Sequence, residues 1–171
     1  KNNMPVEHLS VKKPLLWDVD APNLYSCRVS TVAGGDTAVI SRTFGFRSFE
    51  FVEKGPFRLN GRRLLLKGTH RHEDHAGVAA AMSYQDIRRE MIQIKNMGAN
   101  FIRLGHYQQD ERTLALCDSL GILVWEEIPW CRGGLGGERY RAQAKRMLTN
   151  MIDHIHLAIK ISHINSIKIK Q

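Results

Sequence analysis

Arg103 and His106 lie three residues apart at the end of an apolar run, Asn100-Phe101-Ile102-Arg103-Leu104-Gly105-His106-Tyr107. Two other runs end in the same manner. His70-Arg71-His72 follows Leu64-Leu65-Leu66-Lys67-Gly68, and Glu126-Glu127 follows Ile122-Leu123-Val124-Trp125. Neutral imidazole donates through one nitrogen and accepts through the other, so His72 and His106 suit a ligand that presents several hydroxyls. Arg103 carries a fixed charge that can orient a neighbouring carboxylate and lower its pKa. Glu127 is the carboxylate within reach of that role, and it equally suits direct contact with a hydroxyl. Trp125 or Trp130 offers an apolar face to a ring, although Trp125, inside an apolar strand, is expected in the core. The pair His70 and His72 has a rival reading. Alternate residues of a strand face the same way and can share one metal ion, as in a metal-dependent hydrolase.

These residues need a frame, and the sequence supplies a repeating one. Ser83 caps a helix whose Ile87, Met91 and Ile94 recur at helical spacing, with Gly98 as its stop. A strand over 99–104 follows, then a helix from about Asp110 to Leu120 with Leu114, Cys117 and Leu120 on one face. The run 122–125 reads as a strand covered on both faces, and a third helix spans about 138–152. The order β-α-β-α-β-α implies right-handed crossovers and a parallel sheet. Polar groups at the ends of successive parallel strands are where α/β barrels keep their chemistry.

Residues 1 to 53 have a different rhythm. Leu24–Ser30 and Ala38–Phe44 roughly alternate around Gly34-Gly35-Asp36, as two strands joined by a turn. Two or three strands cannot build a two-sheet sandwich, so this part reads as the end of one. Arg58-Leu59-Asn60-Gly61-Arg62-Arg63 is a hairpin with Asn-Gly at its turn.

Composition narrows the classes. A chain of 171 residues, 43% hydrophobic and 25% charged, is that of an ordinary globular protein. The formal charge of +8 raises nucleic-acid binding, but the basic residues are scattered and no aromatics interleave with a basic stripe. No nucleic-acid partner is expected. No apolar run is long enough to cross a bilayer, so no membrane partner is expected either. Cys27, Cys117 and Cys131 show no CxxC spacing and read as free thiols, two of them buried.

The motifs resemble glycoside hydrolase family 2, the β-galactosidase and β-glucuronidase family. The matches are Trp17 with Pro22-Asn23-Leu24-Tyr25, Phe44-Gly45-Phe46-Arg47, Phe57-Arg58-Leu59-Asn60-Gly61, and Lys67-Gly68 leading to Arg71-His72-Glu73-Asp74-His75. They continue with Asn100-Phe101-Ile102-Arg103 to His106-Tyr107, Cys117-Asp118, and Gly121-Ile122-Leu123-Val124. The resemblance covers roughly residues 15–153. It implies a partial (β/α)8 barrel, its first three βα units over 54–153, preceded over 1–53 by part of an immunoglobulin-like β-sandwich. It implies retaining removal of a terminal β-linked sugar, with carbohydrate as partner and no cofactor. His72, Arg103, His106 and Glu127 are then the expected sugar-binding residues. A non-catalytic carbohydrate-binding fragment is the alternative within the same chemistry.

Two departures bear on the site. The family has two small residues and then His-Tyr-Pro after the arginine, where this chain has Leu104-Gly105 and then His106-Tyr107-Gln108. The β-galactosidase branch places a glutamate and a histidine after the third strand to hold magnesium. Here that stretch is Ile128-Pro129-Trp130-Cys131-Arg132-Gly133, so no metal site is carried over.

Retaining hydrolysis needs two carboxyl groups about 5 Å apart. Glu126 and Glu127 are adjacent on a strand, so their side chains diverge. The family's acid/base glutamate follows an asparagine on the fourth strand and its nucleophile lies on a later one; neither is expected in this sequence. Residues 154–171 carry no carboxylate side chain and are rich in isoleucine, lysine and histidine. They read as an aberrant tail, out of frame or at a truncated gene end, with a divergent fourth strand as the alternative. An unclosed sheet would leave an apolar edge and favour self-association.

Overall fold

The alternation of apolar and polar residues around Gly34-Gly35 does form a hairpin, longer than its sequence signal. In the computed structural model, which describes residues 10–129, 134 and 136–159 (side chains through 153), β1 (Tyr25–Ala33) pairs antiparallel with β2 (Asp36–Phe44). Its turn is Gly34-Gly35 alone, because Asp36 already pairs with Ala33. A second antiparallel sheet follows: β3 (Phe49–Phe51), β4 (Phe57–Leu59) and β5 (Arg62–Arg63), in that order. The last two join through Asn60-Gly61, both at positive φ, which is what a two-residue hairpin turn of matching twist requires.

The third sheet is parallel, β6 (Gly68–Arg71), β7 (Phe101–Leu104) and β8 (Leu123–Glu126), in chain order. Its crossovers are α1 (Tyr84–Asn96) and α2 (Glu111–Leu120), and α3 (Glu138–Ile159) follows the third strand. These are three βα units of a partial (β/α)8 barrel, preceded by β-structure of the immunoglobulin-like part. Ser83 caps α1 by accepting from the Asp86 N–H, and Asp110 caps α2 by accepting from the Arg112 N–H. Gly121 ends α2 in the left-handed conformation, φ 70°.

Strand alternation divides the sheet into two faces. Ile102 and Leu104 turn toward the helices and are fully buried with Ile87, Met91, Leu116, Cys117 and Ile122. Phe101 and Arg103 take the opposite face, which is the barrel interior. A smaller core of Trp17, Val19 and Leu59 couples the N-terminal segment to the barrel. The Trp17 indole N–H donates to the Asp118 carbonyl at 2.7 Å, and Lys95 Nζ donates to the Val19 and Gly121 carbonyls at 2.8 and 3.2 Å.

The structure corrects three expectations. The first barrel strand is Gly68–Arg71, not 64–68, because its parallel partner begins at Phe101, opposite Gly68. The preceding leucines sit outside the ladder, where the Asn100 side chain accepts from the Lys67 N–H and donates to the Leu65 carbonyl. His70 and Arg71 therefore lie within the strand rather than after it. Trp125 is 59% exposed instead of in the core, since it pairs with Arg103 and shares the open interior face. Cys117 is buried and Cys27 half-buried, and the third cysteine lies outside the described residues. The third helix runs on to Ile159, past the expected end near 152. Trp130, Cys131 and the tail from 160 onward lie outside the described residues.

Candidate active-site rim

The carboxyl ends of the three strands converge on one cluster. Arg103, near the end of β7, holds Glu127, one residue past β8, with two bonds: Nε to Oε1 at 2.6 Å and Nη2 to Oε2 at 3.0 Å. This fork-on-fork geometry is the strong form of the arginine–carboxylate pair. The two hydrogen bonds from Arg103 hold the Glu127 carboxyl below its ordinary range, and contact with His106 acts in the same direction. Adjacent Glu126 turns the other way, its carboxylate oxygens inside the fold on the side of Cys117. The expected divergence of the two glutamates is thus present in the geometry.

His106 completes a triangle with this pair. Its Nδ1 lies 2.9 Å from Arg103 Nη2 and 3.1 Å from Glu127 Oε2. The two contacts require opposite roles. A protonated Nδ1 donates to Glu127 and leaves Nε2 as an acceptor; a bare Nδ1 accepts from Arg103 and leaves Nε2–H as a donor. In both tautomers Nε2, on the far edge of the ring, retains one hydrogen-bonding function for a ligand. His72 packs edge-on against His106 with ring centroids 5.1 Å apart, and His70 stands edge-on to His72 at 6.2 Å. The structure therefore brings His72, Arg103, His106 and Glu127 together at one rim. Trp125 is their neighbour on the interior face through its register with Arg103.

Beneath the rim lies a layer that the sequence alone did not single out as functional. Arg71, 6% exposed, donates Nε to Glu90 Oε2 at 3.0 Å and Nη1 to Gln109 Oε1 at 2.6 Å. Glu90 also meets His75 Nδ1 at 3.2 Å. The Tyr107 hydroxyl accepts from the Glu73 N–H, and the Glu73 carboxylate accepts from the Asp110 N–H. The alternation from Gly68 would have placed Arg71 on the helix-facing side, had the strand been set in its true register.

Among the described residues no three His, Cys, Asp or Glu side chains converge so as to hold a metal ion, the His70/His72 pair included. Nor is any described helix long and apolar enough to cross a membrane.

Parallel βα units with their polar side chains gathered at the carboxyl ends of the strands define part of an α/β barrel. The chain belongs to glycosyl hydrolases family 2: residues 51–157 match the model of its TIM barrel domain, and residues 1–47 match a further model of the family. Among solved structures it is 64% identical to the Parabacteroides merdae β-glucuronidase, with a TM-score of 0.82, covering 85% of this chain and 18% of that one. The apo structure of Bacteroides uniformis β-glucuronidase 3 is similar to the same degree, 64% identity and TM-score 0.82, covering 85% and 19%. A β-galactosidase from Thermoanaerobacterium thermosulfurigenes is 37% identical over 144 residues, 84% of this chain and 20% of the relative. The chain thus spans about a fifth of the length of such relatives.

Proposed function

We propose that this chain carries part of the sugar-binding floor of a retaining exo-β-glycosidase that releases a terminal β-linked sugar. The observation that carries the reading is the Arg103–Glu127–His106 triangle, flanked by His72, at the carboxyl ends of parallel strands. Because Glu127 matches the charge of Arg103, the cluster presents directed hydrogen-bonding groups more than net charge, which suits hydroxyls. The relatives named as β-glucuronidases favour a β-glucuronide over a β-galactoside as the first substrate to try. The division into a sandwich part to residue 53 and a barrel part from 54 belongs to the same proposal; it is supported by the two separate family matches, over residues 1–47 and 51–157, although the antiparallel sheet β3-β4-β5 spans the boundary.

The 171 residues are not expected to turn over a glycoside by themselves. Glu127 is held by Arg103, Glu126 lies on the helix-facing side of the sheet, and the two cannot flank a glycosidic bond as retaining hydrolysis requires. General acid catalysis alone is typically worth about 10²–10⁴-fold, so its loss removes measurable activity. The test is incubation of the chain with chromogenic β-glucuronide, β-galactoside and β-mannoside, beside NMR titration with methyl β-glucuronide. Binding at roughly millimolar strength, near −4 kcal/mol, without turnover is the expected result. Turnover that disappears on His106→Ala would overturn the assignment of the missing carboxylates, and absence of any sugar binding would overturn the rim itself.

A further inference from the structure

The turn that carries His106, residues 105–110, is anchored on a strand that is not its own. Gln109 is 4% exposed, and both ends of its amide close on Arg71 of β6. Its Oε1 accepts from Arg71 Nη1 at 2.6 Å, and its Nε2 donates to the Arg71 carbonyl at 2.9 Å. The Gly105 N–H donates to that same carbonyl at 3.2 Å, so both ends of the turn meet at one backbone oxygen. Glu73 adds a second tie, through the Tyr107 hydroxyl and the Asp110 N–H. Arg71 is in turn fixed by Glu90 on α1.

This anchorage matters because His106 Nδ1 sits between a donor at 2.9 Å and an acceptor at 3.1 Å. With two competing partners at nearly equal distance, a small displacement of the turn selects one or the other. We propose that Gln109 is a positioning residue for His106: by tying the turn to Arg71 it sets which partner Nδ1 takes, and hence whether Nε2 offers a donor or an acceptor. A buried amide with both ends engaged is suited to this, since each lost contact leaves an unsatisfied polar group and the network acts as a unit. The proposal rests on the sugar-binding reading only for the identity of the ligand.

The experiment reads the ring directly, so failure of sugar binding and failure of the positioning role are distinguishable. Long-range ¹H–¹⁵N correlations are recorded on the labelled 171-residue chain, with His106→Ala assigning the ring signals. The unsubstituted chain is expected to show one tautomer, its two ring nitrogens well separated in shift. Gln109→Met, close in shape but without the amide, is expected to collapse them toward a common averaged position. Gln109→Glu keeps the acceptor for Arg71 and loses the donor, and is expected to restore part of the separation. Gln108→Ala, an exposed neighbour, is expected to change nothing. A folded Gln109→Met variant with unchanged His106 nitrogens overturns the proposal. So does an unsubstituted chain whose His106 nitrogens are already averaged, which leaves nothing for Gln109 to hold. Should neither Gln109 variant fold, exchange of the Gln109 side-chain amide protons in the unsubstituted chain decides: protection alongside a single His106 tautomer supports the role, and rapid exchange overturns it.

Discussion

Gly121 leaves no room for a side chain under Val19: a Cβ built on it would lie 2.3 Å from the Val19 carbonyl oxygen, well inside contact distance. Its φ of 70° adds a second objection to any other residue, since the left-handed region costs an L-residue roughly 1–2 kcal/mol. Gly121→Ala is therefore expected to destabilise the chain by about 2 kcal/mol or more, lowering Tm by roughly 4–8 °C on the usual scaling for this length. Paired thermal melts check it; an unchanged Tm would show that the Val19 segment moves aside freely.

Glu127 gives a pH-dependent signature. Its folded pKa is depressed below the ordinary value of 4.5, chiefly by hydrogen bonds from Arg103. A depressed carboxylate contributes stability that is present above the unfolded pKa and is lost as pH falls through the folded one. The deficit of Glu127→Gln relative to the parent should accordingly be seen at pH 6–7 and fade below about pH 4. The pair is partly exposed, so solvent screening limits the effect to about 0.5–1 kcal/mol. Urea titrations across that range measure it, and a deficit that grew in acid would refute the sign.

Arg71 should be far more sensitive than surface arginines. Its guanidinium is buried against Glu90, Gln109 and Met82 Sδ, so Arg71→Met strands the buried Gln109 amide and removes one partner of the part-exposed Glu90. A loss of about 1–3 kcal/mol is expected, as for a buried polar group left without its partner. Arg89, paired with Asp86 on the exposed side of α1, should tolerate alanine without a measurable change in Tm. Equal effects of the two substitutions in chemical denaturation would contradict the burial argument.

Among the described residues no further strand pairs with the outer edges of β6 and β8. Strand edges without a partner strand template pairing with another chain, so concentration-dependent self-association is expected. Light scattering over a dilution series tests it, and a sharp monomer at all concentrations would argue that the edges are protected.

How far these features could be read from the sequence varies with their cause. The helices of the barrel part were legible because Ser83, Asp110, Gly98 and Gly121 signal their ends locally, and Ile87 and Met91 recur at helical spacing. The start of the first barrel strand was not, because Leu64–Leu66 satisfy a strand's propensity while the register is dictated by Phe101, far along the chain. That shift moved Arg71 onto the buried face and hid its network with Gln109. Trp125 failed for a related reason. Apolar character predicts burial only where a second layer covers the face, and the interior face here is open. The rim residues His72, Arg103, His106 and Glu127 were legible because strand ends in a parallel sheet meet at one side, whatever the register.

Trp17 and Trp125 are opposites in environment, and that contrast makes the chain its own optical gauge. Trp17 is 1% exposed, with the Arg47 guanidinium 4.5 Å above its ring and its indole N–H bonded to Asp118. Trp125 faces solvent across the interior of the sheet. The first should emit to the blue and resist a soluble quencher, and the second should emit to the red and yield to it. Because Trp17 packs with Val19 and Leu59 at the seam between the two parts of the chain, its blue emission tracks whether that seam is closed. Trp125, beside Arg103, would register a ligand arriving at the rim. With the third tryptophan replaced as Trp130→Phe, Trp17→Phe and Trp125→Phe variants would assign the two signals and let one spectrum report assembly and occupancy separately.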